Sequence, residues 1–207
     1  MTGSPNGSCS LCGHEAAKAQ MTRHLAGCLP DHGSGAEDDT LVHLLVEATN
    51  DPDYWLHVEG RATASLEQLD RLLRDIWLEC CGHMSAFYVQ GVEPAMRSRL
   101  GSVFRAKGIP FKYEYDFGST TRLKGKVIGF RNGSIGRQGV RLLARNKAPG
   151  WRCSACGNPA ELVCGLCLDS EDAFFCATHA PEHGCAEEEP FVPVVNSPRM
   201  GVCGYSG

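Results

Sequence analysis

Phe111-Lys-Tyr-Glu-Tyr-Asp-Phe117 and, a few residues on, Arg122-Leu-Lys-Gly-Lys-Val-Ile-Gly-Phe130 set apolar or aromatic residues against charged ones at every second position. A period of two is the side-chain period of a β-strand, so both segments read as strands with one face turned to a core. Gly139 to Arg145 alternates in the same way. The intervening Arg131-Asn-Gly-Ser-Ile-Gly136 is rich in turn residues, and segments 122–130 and 139–145 therefore read as a β-hairpin. Outward from there, Tyr54–Glu59 and Ser85–Gln90 also have strand patterns. The fold class that follows is α+β, a mostly antiparallel sheet with two or three helices.

The helices are read from spacing and caps. Leu41, Leu44, Leu45 and Ala48 recur at helical intervals, with Asp39 or Thr40 available to cap and Pro52 to terminate. Ser65 is the N-cap of a second helix running to Glu79, which carries Leu66, Leu69, Leu72, Leu73, Ile76 and Trp77 on one face. A short third helix is expected within Pro94–Ala106, ending before Gly108 and Pro110. Residues 30–40 read as an acidic linker. The expected organisation is a finger at 1–29, that linker, a central α+β domain at 41–148, a metal-stapled module at 149–186 and an extended tail at 187–207.

Twelve cysteines sit unevenly along the 207 residues. The first group is Cys9-x2-Cys12 followed by His24-x3-Cys28. A Cys-x-x-Cys turn brings two thiolates to one cation, and Gly13 can take the positive φ of such a knuckle. His24 and Cys28 are four apart, so on a helix they share a face. The second group is Cys153-x2-Cys156, Cys164-x2-Cys167, Cys176-x2-His179 and His183-x-Cys185, eight ligands for two four-coordinate sites. The last four of them span ten residues and are too close to wrap one ion. The pairs are therefore expected to cross-brace, with Cys153, Cys156, Cys176 and His179 on one ion and Cys164, Cys167, His183 and Cys185 on the other. Three Zn²⁺ ions per chain are expected, each with a full set of ligands and no open position for a catalytic water. Cys80 and Cys81, at the end of an apolar helix, read as core or near-core thiols.

The first group resembles small Cys-Cys-His-Cys fingers, and the stretch Phe175–Cys185 resembles the end of an AN-one-type zinc finger; both resemblances imply interaction modules. Tyr54-Trp-Leu-His-Val58, the helix at 65–79, Gly82-His-Met-Ser-Ala-Phe87 and Tyr113-Glu-Tyr-Asp-Phe-Gly118 occur in an order that resembles the plasmid third-open-reading-frame family, over roughly residues 40–148. That family is described as a resolvase-like passenger of insertion elements. The resemblance implies a link to mobile elements and brings no enzymatic activity with it.

No run reaches the roughly 18 apolar residues that a membrane helix needs, and Met1–Ser8 lacks the basic and apolar regions of a secretory signal. A cytoplasmic location is expected, where thiols stay reduced and available to metal. From Phe117 to Ala160 there are nine basic residues and no acidic one, within a net charge of −4. Arg122, Lys124 and Lys126 share one strand face by parity, as do Arg141 and Arg145, and together they are candidates for a nucleic-acid-binding surface. The functional expectation is a zinc-binding, non-enzymatic adaptor for a protein or nucleic-acid partner. The alternative is an enzyme whose pocket lies near His83 and Asp116 as an acid–base pair.

Overall fold

A computed structural model describes residues 6–32, 39–168, 170, 172–188 and 191–207. Eleven strands are present among them. They are β1 (Gly7–Cys9), β2 (Glu15–Ala16), β3 (Asp39–Ala48), β4 (Trp55–Arg61), β5 (Ser85–Val89), β6 (Pro110–Tyr115), β7 (Thr121–Gly133), β8 (Val140–Asn146), β9 (Leu162–Cys164), β10 (Phe174–Phe175) and β11 (Phe191–Pro193). The first eight form one antiparallel sheet in the order β2-β1-β8-β4-β3-β7-β6-β5, and the last three form a small antiparallel sheet, β10-β9-β11. The α+β class is as the sequence implied.

Leu41–Ala48 is a strand, not the helix that the leucine spacing suggested. β3 lies in the middle of the sheet with protein on both sides, so nearly every side chain of it is buried. Val42, Leu44 and Val46 enter the main core with Trp77, Phe87 and Tyr113, whereas Leu45 packs beneath the N-terminal segment with Met21, Leu25 and Trp55. A strand covered on both faces loses its alternation and reads as a continuous apolar run. Asp39 and Thr40, expected as caps, are strand residues paired with Gly133 and Asn132. Residues 33–38 of the expected linker lie outside the described residues.

β7 and β8 do not form a hairpin. β3 and β4, themselves a hairpin, are inserted between them, and the 134–139 connection passes over the end of that pair, where the Arg61 backbone N–H donates to the Gly139 carbonyl. Burial explains the choice. β3 and β4 are the most apolar strands and take the centre, which leaves the cation-bearing β7 and β8 to flank them.

The main core is closed by α2 (Leu66–Leu73), which buries Leu66, Leu69 and Leu73, and by the π-helical turn Arg74–Leu78 that follows, which buries Trp77 and Leu78. Ser65 and Gln68 form a reciprocal capping box at the start of α2. The third helix, α3 (Leu100–Val103), is a single turn; most of the expected Pro94–Ala106 helix is irregular chain. The first cysteine segment is continuous with the sheet. β1 pairs with β8, and α1 (Lys18–Cys28) covers the opposite face of β4 and β8 with Met21 and Leu25.

Candidate metal centres

Gly13 and Gly157 close the same turn. The Gly13 N–H donates to the Cys9 carbonyl and the Gly157 N–H to the Cys153 carbonyl, with φ +76° and +72°. Each turn points the two sulfurs of a Cys-x-x-Cys pair to one side. In the first, α1 supplies His24 and Cys28 from adjacent turns of one face, and His24 Nε2 lies 3.3 Å from Cys12 Sγ. Cys9, Cys12, His24 and Cys28 offer ligand atoms all within 4.8 Å of one another. The His14 backbone N–H holds the Cys12 thiol below its ordinary range, whereas burial pushes Cys28 up to about 12. A cation here displaces protons from thiols held at unequal affinities.

The eight C-terminal ligands divide by alternate pairs. Cys153, Cys156, Cys176 and His179 converge in one group and Cys164, Cys167, His183 and Cys185 in another. In the first, His179 Nδ1 is 3.7 Å from Cys153 Sγ and 3.2 Å from Cys176 Sγ, and Cys156 and Cys176 are 3.9 Å apart. In the second, Cys167 lies 3.5 Å from His183 Nε2 and 3.9 Å from Cys185 Sγ. Around them the apolar core is meagre: Phe175 and Phe191 pack on His183, and Trp151 stacks on Phe174 at 4.1 Å.

A fourth group was not visible in the sequence. Cys80, Cys81 and His83, on the segment leaving the π-helical turn, meet Cys203 from the far end of the chain. Local spacing gave no sign of it, because one ligand lies 122 residues from its neighbour Cys81. Of the thiols read as core, Cys80 is half-buried and Cys81 is exposed. All twelve cysteines are free thiols, so all four groups could hold metal ions.

No family model matches this chain, nor does any curated protein. Among solved structures it is similar to a protein of unknown function, MM3350, from Methanosarcina mazei Go1, at 14% identity over 52% of this chain and 69% of that one, with a TM-score of 0.44.

The other site expectations fare differently. His83 Nε2 and Asp116 Oδ2 are 3.5 Å apart, beyond hydrogen-bond length. Asp116 is instead held by Arg199 Nη2 at 2.7 Å and by the N–H groups of Gly118 and Ser119. Two cavities of about 750 and 670 Å³ open elsewhere, and neither is lined by His83 or Asp116.

The two-strand cationic surface is absent because its strands are separated and bulged. A bulge opposite His57/Val58 sets Arg141 across from Glu59 and Arg145 across from Leu56, on opposite faces of the sheet. Arg141 pairs with buried Glu59 at 2.8 Å, and Arg145 Nη2 donates to the Asn196 carbonyl at 2.9 Å. Arg122 pairs with Glu114 at 3.2 Å. Lys124 and Lys126 line the larger cavity with Lys112, but Glu47 and Glu114 line it too.

A mapped polar network joins the sheet to α1. His43 Nε2 and His57 Nδ1 are 2.9 Å apart, and His57 Nε2 lies 3.2 Å from Thr22 Oγ1. Among the described residues, no helix is long and apolar enough to cross a membrane.

Proposed function

We propose that this chain is a zinc-binding, non-enzymatic adaptor whose rigid small modules engage a protein partner. The observation that carries the reading is the spacing within each Cys/His group. Zn–S bonds of about 2.3 Å put two sulfurs on one tetrahedral ion roughly 3.8 Å apart. The sulfur pairs Cys156–Cys176 and Cys167–Cys185 are each separated by 3.9 Å. A disulfide would need about 2.05 Å. Each group offers four donors, three of them sulfur, which suits a closed structural zinc site and leaves no position for a catalytic water.

The module from residue 149 onward has too small an apolar core to fold without its metal, so ion binding supplies most of its folding free energy. The pairing of Arg122, Arg131, Arg141 and Arg145 within the fold favours a protein partner over nucleic acid. The engagement of Asp116 by Arg199 weighs against the acid–base alternative.

Elemental analysis of protein purified without added metal tests the metal reading. Zinc at three or more ions per chain is expected, and iron, or a ratio near one, overturns it. Titration with duplex DNA at two salt concentrations tests the partner class. Tight, salt-sensitive binding would move the adaptor from protein to nucleic acid.

A further inference from the structure

We propose that Cys80, Cys81, His83 and Cys203 bind a fourth zinc ion, and that this ion latches the C-terminal segment onto the central domain. The inference rests on the zinc reading of the other groups but concerns a site built differently from them. Cys81 Sγ lies 3.6 Å from Cys80 Sγ and 3.7 Å from Cys203 Sγ, and His83 Nε2 is 2.9 Å from Cys81 and 3.6 Å from Cys203. Two sulfur–sulfur separations thus fall close to the roughly 3.8 Å expected on one tetrahedral ion.

The surroundings suit a three-thiolate site. Three thiolates and one Zn²⁺ carry a net negative charge, and the fully buried Arg199 guanidinium reaches Cys80 Sγ at 3.5 Å to offset it. Arg199 also occupies Asp116, which lies beside His83 but is thereby kept from competing as a ligand. The backbone is shaped at both contributions. Gly82, between Cys81 and His83, has φ +78°, and Cys203 itself sits at φ +54° between Gly201 and Gly204, both also left-handed. A non-glycine residue in that region is held there by its surroundings, and a metal–sulfur bond supplies such a hold.

The latch has something to fasten. Upstream of Cys203 the segment is tied down by Ser197 Oγ donating to the Trp77 carbonyl at 2.6 Å and by Asn196 paired with Asn146. From Gly201 onward the backbone hydrogen bonds close within the segment itself, from Gly201 to Tyr205, Gly204 to Gly201 and Tyr205 to Val202; Tyr205 is buried and Cys203 is exposed. Met200 and Val202, beside the latch, form one wall of the 670 Å³ cavity whose other walls include Tyr54, Trp151 and Phe174. The fourth ion therefore fixes a cavity wall contributed by the tail.

Cys203→Ser in the full chain tests this, since an exposed ligand near the end of the chain leaves the core packing intact. Zinc per chain, measured by elemental analysis, is expected to fall by one ion relative to wild type. Backbone amide exchange in residues 200–207 is expected to rise at least tenfold, with the β3 and β4 amides unchanged. Cys81→Ser, from the other side of the site, is expected to reproduce both effects. Equal zinc content in wild type and both variants overturns the proposal, as does a Cys81–Cys203 disulfide found in the zinc-replete protein. Cys12→Ser serves as the control for the other reading. Loss of an ion in Cys12→Ser but not in Cys203→Ser sinks the latch and keeps the fingers; the reverse keeps the latch and sinks the N-terminal finger.

Discussion

Glu59→Gln removes one negative charge while conserving shape, at a site where that charge is surrounded. Glu59 has no exposed surface. Its Oε1 accepts from Arg131 Nε at 2.6 Å, and its Oε2 accepts from Arg131 Nη2 at 3.0 Å and from Arg141 Nε and Nη2 at 3.0 and 2.8 Å. One carboxylate thus joins β4, β7 and β8, and Arg141 continues to the His32 carbonyl beyond α1. Glutamine keeps one acceptor oxygen, but it turns an N–H2 group toward guanidinium donors and leaves two cations facing each other. Breaking a buried pair by removing one partner costs about 3–5 kcal/mol. The arginine side chains keep 20% and 17% of their surface exposed, so water recovers part of the loss and the expected cost is about 3 kcal/mol. For a chain of this size that lowers Tm by roughly 6–12 °C. The assay is urea denaturation of zinc-saturated wild type and variant, checked for equal m values. The same substitution in an Arg131→Met, Arg141→Met background should cost far less, because the orphaned cations are gone. A single-variant loss below about 1 kcal/mol, or an undiminished loss in that background, would refute the account.

Three further outcomes are expected. Burial holds His43 down to about 4 and His57 down to about 3, His57 being lowered further by His43 beside it. The folded state therefore excludes protons that the unfolded chain accepts below about 6.5, so stability is complete above that pH and falls as pH drops toward 4, by up to about 2.7 kcal/mol per pH unit for two sites. His57→Gln should reduce that slope by about half in urea titrations run with and without the substitution, a comparison that subtracts any acid loss of zinc. Chelation of zinc should abolish amide protection across residues 153–188 and change the fluorescence of Trp151, now stacked on Phe174, while β3 and β4 stay protected; simultaneous loss of both regions would contradict a metal-dependent module on a metal-independent core. Arg199→Ala should destabilise the fold, since Asp116 then keeps only the Gly118 and Ser119 N–H groups as donors, and limited proteolysis should then cut the 191–207 segment first.

How much of this was legible depended on how local each signal is. The N-cap at Ser65 and the alternation in β6 lie within a few residues, and both appear where the pattern put them. β3 was obscured because alternation reports a strand with one wet face, and this strand has none. The exchange of neighbours between β7 and β8 depends on which strands outcompete others for the centre of the sheet, a property of the whole set rather than of any pair. The first three ligand groups announce themselves as tight pairs. Cys203 had no such partner nearby in sequence, and only the return of the tail past Trp77 and Asp116 brings it to Cys81. A bulge of one residue in β8 reversed the side on which Arg145 lies, and parity counting cannot foresee an inserted residue.

The pairing of β1 with β8 carries a consequence for synthesis. Gly7–Cys9 leaves the ribosome long before the strand it joins, which ends at Asn146. At about 5–20 residues per second, β1 waits roughly 7–27 s before that neighbour exists. During this wait the apolar side of α1, Met21 and Leu25, lacks Leu143 and Ala144 of β8 beneath it. On the zinc reading proposed above, an ion captured early by Cys9, Cys12, His24 and Cys28 would keep this short segment folded until β8 arrives, and zinc supply during translation, not only afterwards, would then govern how much of the chain reaches the native sheet.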